Sequence, residues 1–487
     1  MRSKSVNDQK QIAIIGAGFG GCSTAYFLRC LVGNTLGIRI FERSDRIGGR
    51  VRAIKYKERG ELYESGGAIF TSNNKYMHML ANEFRLELRQ HPPPHGALCL
   101  YNGFLAPPSF STKDGPLRLN RISFAWKYGI DFLRFKIAVS RHVNKFSRIY
   151  EKQKNREAFQ CPFKMLSSIS EKFVMMVESS FEKWLDKHLK LSKQFCNEVA
   201  YGFVAQCYCS DLKVHAFAGM TASSGLCAAL YSIVGGNEQI AQNLAAKALC
   251  SNPQGFPCHV SLNTTVTEIS KGSKRRYRLT YVETDSETQK SEEFDYVVLA
   301  FPIHEKSVMK ADPEIAQVLP EARPYVKVDF THFHGDLSSQ IFPLPKDELK
   351  DEGHSGVTIL PTQRGYNEGG TPFKYFGRAF STAPVQKGKK ASGCFSALSL
   401  PGRTPNPGDE IPNKYVVSRC TLIDSTRWDA FPIFNPGDRN RLTKFVLADG
   451  LIYVNAIEQL ASNMEFALIG GYNAALLIAE DRISRSN

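Results

Sequence analysis

The first apolar run of the chain, Ile12 to Ile15, is too short for a helix and is closed by glycine, which predicts a buried parallel strand. A helix follows across CSTAYFLRCLV and stops at Gly33, a residue suited to a helix C-terminus. Ile38 to Phe41 predicts a second strand, Val51 to Tyr56 a third, and Tyr76 to Phe84 has helical spacing. His91-Pro92-Pro93-Pro94-His95 breaks the pattern and marks a crossing out of the first domain, with both histidines expected in an exposed loop rather than on a metal.

From about Phe124 to Ala248 the pattern is mainly helical, including Phe173 to Leu191, Val199 to Tyr208 and the small-residue run AFAGMTASSG from Ala216. Tyr231 to Val234 then meets Gly235-Gly236-Asn237 and a helix through Ala241 to Leu249. Strands are expected over Val260 to Ile269, Tyr277 to Thr284 and Phe294 to Ala300, the last stopped by Pro302. Residues 303–439, rich in Gly and Pro, give no clear elements and suit a substrate domain. Gly450 to Asn455 reads as a strand, and Ser462-Asn463-Met464-Glu465 opens a long helix with a capping residue. Phe466 to Ala479 is the longest apolar stretch, but glycines, Tyr472 and Asn473 interrupt it, so a buried helix is predicted rather than a membrane span.

Composition narrows the class. With 487 residues, 43% hydrophobic and 22% charged, the chain suits a two-domain globular protein with a large core. Its opening, MRSKSVNDQK, has no signal-peptide pattern. Twelve cysteines include Cys207 and Cys209 but no CxxC pair, which predicts buried thiols rather than zinc or a disulfide scaffold. The sequon at Asn263 falls within an expected strand. The net charge of +15 is spread out, and the clusters Lys271 to Arg278 and Lys387 to Lys390 read as a hairpin turn and a loop, so nucleic acid is not the expected partner. Trp126 to Arg141 mixes Phe, Leu, Ile and Val with basic residues, a pattern shared by ordinary surface helices and by helices that lie on anionic membranes.

The glycines bring in chemistry. Gly16, Gly18 and Gly21 satisfy GxGxxG between strand and helix: the first for a tight turn, the second for close approach to a pyrophosphate, the third for helix–strand packing. The helix start favours phosphate, and Glu42, at the end of the second strand, is placed for ribose hydroxyls. A second turn, Gly48-Gly49-Arg50, adds backbone and a guanidinium suited to phosphate, which favours FAD over NAD. A third, Ser65-Gly66-Gly67-Ala68, could bring backbone to the isoalloxazine ring, and the helix starting at Asn463 could direct N–H groups at the flavin pyrimidine.

Together these residues resemble the FAD-dependent amine-oxidase-like flavoproteins, and within them the prenylcysteine oxidase family. IAIIGAGFGG, IGGR, YESGGAIF, WKYGIDFLRF, FSRIYEKQ, AFAGM, VGGN and YVNAIEQLASNMEF carry the resemblance across nearly the whole chain. It implies an α/β fold: a Rossmann-like FAD-binding domain from segments 10–95, 230–302 and 445–485, with an α+β substrate-binding domain from 96–229 and 303–444. Non-covalent FAD would be held by Gly16, Gly18, Gly21, Glu42, Gly48, Gly49, Arg50, Gly66, Gly67, Ala68, Val266, Asn455, Asn463 and Met464. The implied activity is a thioether oxidase converting farnesyl- or geranylgeranyl-cysteine and molecular oxygen into cysteine, an isoprenoid aldehyde and hydrogen peroxide. A lysosomal or endomembrane location and peripheral membrane contact follow from the same resemblance. No acid–base residue is assigned, since hydride abstraction demands none; Glu458 and His215 lie near family motifs, with structural roles weighing more. An amine oxidase of the same fold and a non-catalytic prenyl-binding relative are the alternatives.

Overall fold

The computed structural model describes residues 9–58, 60–91, 98–101, 117–249, 259–284, 286, 288–304, 309–337, 358–367, 373–379, 382, 394–403, 416–437 and 442–486. Its central sheet has six strands. β1 (Gln11–Ile15) lies between β2 (Gly37–Phe41) and Tyr296–Leu299. His259–Ser261 extends the sheet beyond β2, and Leu451–Tyr453 then Val446–Ala448 extend the other side. All neighbours run parallel except this last pair. Ile12, Ala13 and Ile14 are wholly buried because both faces are covered, which is why β1 is a continuous apolar run. On one face α1 (Phe19–Val32) packs against the C-terminal helix Met464–Ser486, with Phe27 and Tyr472 stacked at 4.2 Å. Gly471 makes that approach possible, since a Cβ there would lie 1.9 Å from Ser23 Oγ.

Two expected strands need correction. Val260 to Ile269 is two strands: His259–Ser261 pairs with β2, whereas Thr264–Lys271 pairs with Tyr277–Glu283 in a separate four-stranded sheet. The break is at Leu262 and Asn263. Asn263 has φ of 50°, a left-handed conformation that asparagine tolerates, and its N–H donates to the Ser44 carbonyl. The sequon's asparagine therefore sits in an exposed turn, while its Thr264 and Thr265 open the second of these strands. Phe294 to Ala300 likewise separates into Tyr296–Leu299 and an antiparallel edge strand, Gln289–Phe294, whose first four residues are all exposed and carry no apolar alternation.

The stretch 303–439 contributes most of a second six-stranded sheet. Its order is Val416–Pro432, Tyr325–Leu337, Cys394–Ser399, Tyr375–Arg378, Thr358–Pro361 and Leu98–Tyr101, antiparallel except for the last pair. The helix Tyr201–Tyr208 packs on Thr358–Pro361 with Gly202 against Leu360, and Ala216–Ala222 packs in turn on that helix, on Glu171–Glu178 and on Leu117–Phe146. The small residues of AFAGM serve packing: a Cβ on Gly219 would meet the Phe181 ring at 2.3 Å. His91 is not an exposed loop residue. It ends the strand Leu88–His91, is buried, and its Nε2 lies 2.8 Å from Ser232 Oγ. Pro92 to His95 and the Lys387 cluster lie outside the described residues. The other basic turn, between two paired strands, is neutralised: Arg278 pairs with Glu293, Arg275 with Asp295 and Lys271 with Glu314. Among the described residues, no helix is long and apolar enough to cross a membrane.

Candidate functional site

The three glycine turns are stacked on one another at the C-terminal ends of the central strands. Gly16 turns at φ of 109°, and a Cβ there would lie 2.5 Å from the Ala300 carbonyl oxygen of the neighbouring strand's end. Gly21 sits so close beneath that its Cβ would be 2.0 Å from the Gly16 oxygen, so the third glycine is needed for helix–strand packing. Gly18 and Gly48 form a parallel bridge, with the Gly48 N–H donating to the Ala17 carbonyl. Gly66 and Gly67 then rest on the second turn. The Gly67 N–H donates to the Arg50 carbonyl, and a Cβ on Gly66 would lie 2.2 Å from that oxygen. Met464, the first residue of the C-terminal helix, closes over Gly67 with its side chain 3.3 Å from where a Cβ would be. Asn463 caps this helix, its Oδ1 accepting from the Phe466 N–H.

This cradle fits a flavin dinucleotide. Gly18 is the N-cap of α1 but offers no side chain, and no acidic residue fills the first turn, so the leading N–H groups have no competing partner from a cap. Glu42 stands at the end of β2 with Oε2 accepting from the Ala17 N–H at 2.8 Å and Oε1 accepting from Ser44. Val266 is buried on the strand that leaves this corner, two residues beyond Thr264, whose N–H donates to the Glu42 carbonyl. The Ala68 carbonyl faces inward, accepting from Asn237.

Arg50 is placed differently from the phosphate role suggested by its chemistry. Its guanidinium is ion-paired with Glu458 and donates to the Ala430 carbonyl at 2.7 Å. Glu458 also accepts from Tyr325 Oη and from Asn455 Nδ2, both at 2.9 Å. Glu458 and Asn455 thus form a junction joining the second glycine turn, the segment Val454–Gln459 and the strand Tyr325–Leu337. Asn455, Glu458 and Tyr325 also line a small pocket with Arg323, Thr443 and Gln459. His215 is structural. Its Nδ1 accepts from the Ala218 N–H as the N-cap of Ala216–Ala222, its Nε2 bonds the Gln459 carbonyl, and burial lowers its pKa to about 4.

Two supporting residues were not singled out by sequence reasoning. Asn237, wholly buried, donates from Nδ2 to the Gly67 and Ala68 carbonyls and from its backbone to Glu64. Burial holds the Glu64 carboxyl well above the usual carboxylate range, against the opposing pull of the Asn237 N–H. Arg46 donates to the Gly49 and Val51 carbonyls and so clamps the second turn. The VGGN motif was the available signal for Asn237; Arg46 had none. Among the described residues, no cluster of His, Cys, Asp or Glu could hold a metal ion.

Similarity to known proteins agrees with this geometry. A profile described as NAD(P)-binding Rossmann-like domain matches residues 14–84. The chain is 28% identical over 482 residues to prenylcysteine oxidase 1 of Bos taurus, covering 96% of this chain and 88% of that protein. It is 27% identical over 485 residues to the Homo sapiens protein of the same name, covering 96% and 88%. In fold it is similar to a cyclohexylamine oxidase from Brevibacterium oxydans, with TM-score 0.59, 15% identity and coverage of 98% and 100%. A putrescine oxidase bound to putrescine gives TM-score 0.58, 14% identity and coverage of 98% and 99%. The profile of the family described as Prenylcysteine lyase matches residues 115–366 and 385–487, and the chain belongs to that family.

Proposed function

We propose that this protein is a flavin-dependent oxidase that cleaves the thioether of farnesyl- or geranylgeranyl-cysteine. The observation that carries the reading is the family match across the helical middle and the C-terminal segment, joined to an intact cradle of three glycine turns. In balance, the thioether, one water and one oxygen molecule give an isoprenoid aldehyde, cysteine with a free thiol, and hydrogen peroxide. Bound flavin supplies the two-electron acceptor for that change.

The chain's own residues bind and orient. Gly16, Gly18 and Gly21 with the start of α1 hold the pyrophosphate, and Glu42 and Val266 flank the ribose and adenine end. Gly48, Gly49 and Arg50 supply backbone at the centre, and the Arg50–Glu458 pair fixes that turn against Asn455. Gly66, Gly67 and Ala68 face the ring system, and the Asn463-capped helix starting at Met464 offers its first N–H groups and positive dipole end to it. Segments 10–95, 230–302 and 445–485 serve the cofactor, while 96–229 and 303–444 serve the substrate. We also infer peripheral membrane contact and an endomembrane or lysosomal setting, since prenyl chains partition into lipid.

Purified protein should show a flavin absorbance spectrum and release peroxide with farnesylcysteine but not with spermine. Absence of flavin refutes the reading, peroxide from spermine alone selects an amine oxidase, and flavin without peroxide from either selects a binding protein.

A further inference from the structure

The helix Leu117–Phe146 carries its core residues on one face: Tyr128, Phe135, Val139, His142 and Phe146 are all buried. Phe135 meets Phe195 and Phe181, and Phe146 meets Phe173 and Phe217. At about 100° per residue, the opposite side of such a helix is its most solvent-facing line and is normally polar. Here that line is apolar. Trp126 is 92% exposed, Ile130 70%, Leu133 58% and Ile137 42%. Their spacing of four, three and four places them within about 60° of one another, along about 16 Å of helix. Scattered exposed apolar residues are ordinary, but a continuous line diametrically opposite the core is not.

Charge on either side of the line is of one sign. Lys127, Arg134, Lys136, Arg141 and Lys145 are exposed beside it. Lys127 is paired with Glu198, whereas Asp131, the acid of this stretch, is half-buried and accepts the Ser192 N–H. No membrane-spanning helix is present among the described residues, so this face can lie on a bilayer but not cross it.

We infer that Trp126, Ile130, Leu133 and Ile137 insert into the headgroup boundary of an anionic bilayer, with Arg134, Lys136, Arg141 and Lys145 on its phosphates. This extends the membrane contact of the proposed function, and it does not depend on thioether chemistry. The helix lies in the plane of the interface, and its buried face carries the substrate-domain core just above the lipid.

The test is flotation of the flavin-loaded full chain with phosphatidylcholine vesicles and with vesicles containing phosphatidylserine. The expected result is binding to the anionic vesicles, about tenfold stronger than to neutral ones. W126S/I130S, with flavin absorbance unchanged, should lose at least about tenfold of that binding. If that variant fails to fold, R134E/K136E should lose the preference for phosphatidylserine while keeping flavin. Trp126 fluorescence should shift blue and be quenched by brominated lipid, a response missing from Trp126→Phe. Wild-type protein that stays unbound, or a W126S/I130S variant that floats equally, overturns the inference. So does a lipid-free dimer that W126S/I130S converts to monomer, which would assign the face to a second copy. Because vesicle binding and peroxide release are read separately, failure of one is distinguishable from failure of the other.

Discussion

Gly18 and Gly21 stand three residues apart and are needed for different reasons. Gly18 has an ordinary extended conformation, and a Cβ would meet only Gly49 Cα, at 3.7 Å. Gly18→Ala should therefore leave the melting temperature of the flavin-free protein within a degree or two and weaken flavin affinity at least about tenfold, read by fluorescence titration. Gly21→Ala drives a methyl into the Gly16 carbonyl and should cost about 3 kcal/mol, read as lost soluble yield or a lowered denaturation midpoint. Asn463→Ala removes a cap and should cost about 1 kcal/mol by denaturant unfolding. The glycine spacing was legible because each job is local. Asn237 and Arg46 were not, because their partners are carbonyls set by the folded chain; Asn237 is 170 residues from Gly67.

Among elements, Glu465 ties three helices together. From the first turn of the C-terminal helix its carboxylate accepts from the N–H groups of Tyr76 and Met77 and from Tyr150 Oη. Burial raises its pKa from 4.5 to about 7, against the opposing pull of those donors. Below about 4.5 both folded and unfolded forms hold the proton; between 4.5 and 7 only the folded form does. Stability from this group is therefore greatest at low pH and falls as pH rises through that window. The melting temperature of Glu465→Gln, relative to wild type, should rise between pH 5 and pH 8; a difference independent of pH would refute this assignment. Elements with one covered face, or with both faces uniformly apolar, were readable. The strand Tyr325–Leu337 was not, since Asp329, Thr331 and His332 are buried beside Val328, Phe330 and Phe333, leaving no alternation. The division at Asn263 also escaped notice, because apolar residues continue across a point where the chain changes sheets.

At the scale of the molecule, the cofactor cradle draws on residues from Gly16 to Met464, so ligand binding and folding are coupled. Adding FAD to flavin-free protein should raise its melting temperature with concentration, by an increment equivalent to about 2.7 kcal/mol at a hundredfold excess over the dissociation constant. A melting curve unmoved by FAD would contradict the cradle's role. The Rossmann half was legible at this scale because strand, turn and helix follow one another in sequence. The other half was not, since the Arg50–Glu458 pair and the contact of Met464 with Gly67 join residues some 400 apart.

The order of strands in the central sheet has a consequence for how the protein is made. β1 is among the first described residues, yet one neighbour begins at Tyr296 and the strand beyond that at Leu451. α1 also finds its main partner in the helix that ends the chain. At about 5–20 residues per second, the nucleotide turn emerges from the ribosome roughly 15 to 90 seconds before those partners exist. During synthesis β1 offers an apolar edge, and α1 an apolar face, with nothing yet to cover them. With those surfaces uncovered, stop codons late in the reading frame should yield insoluble, flavin-free protein rather than a shortened enzyme.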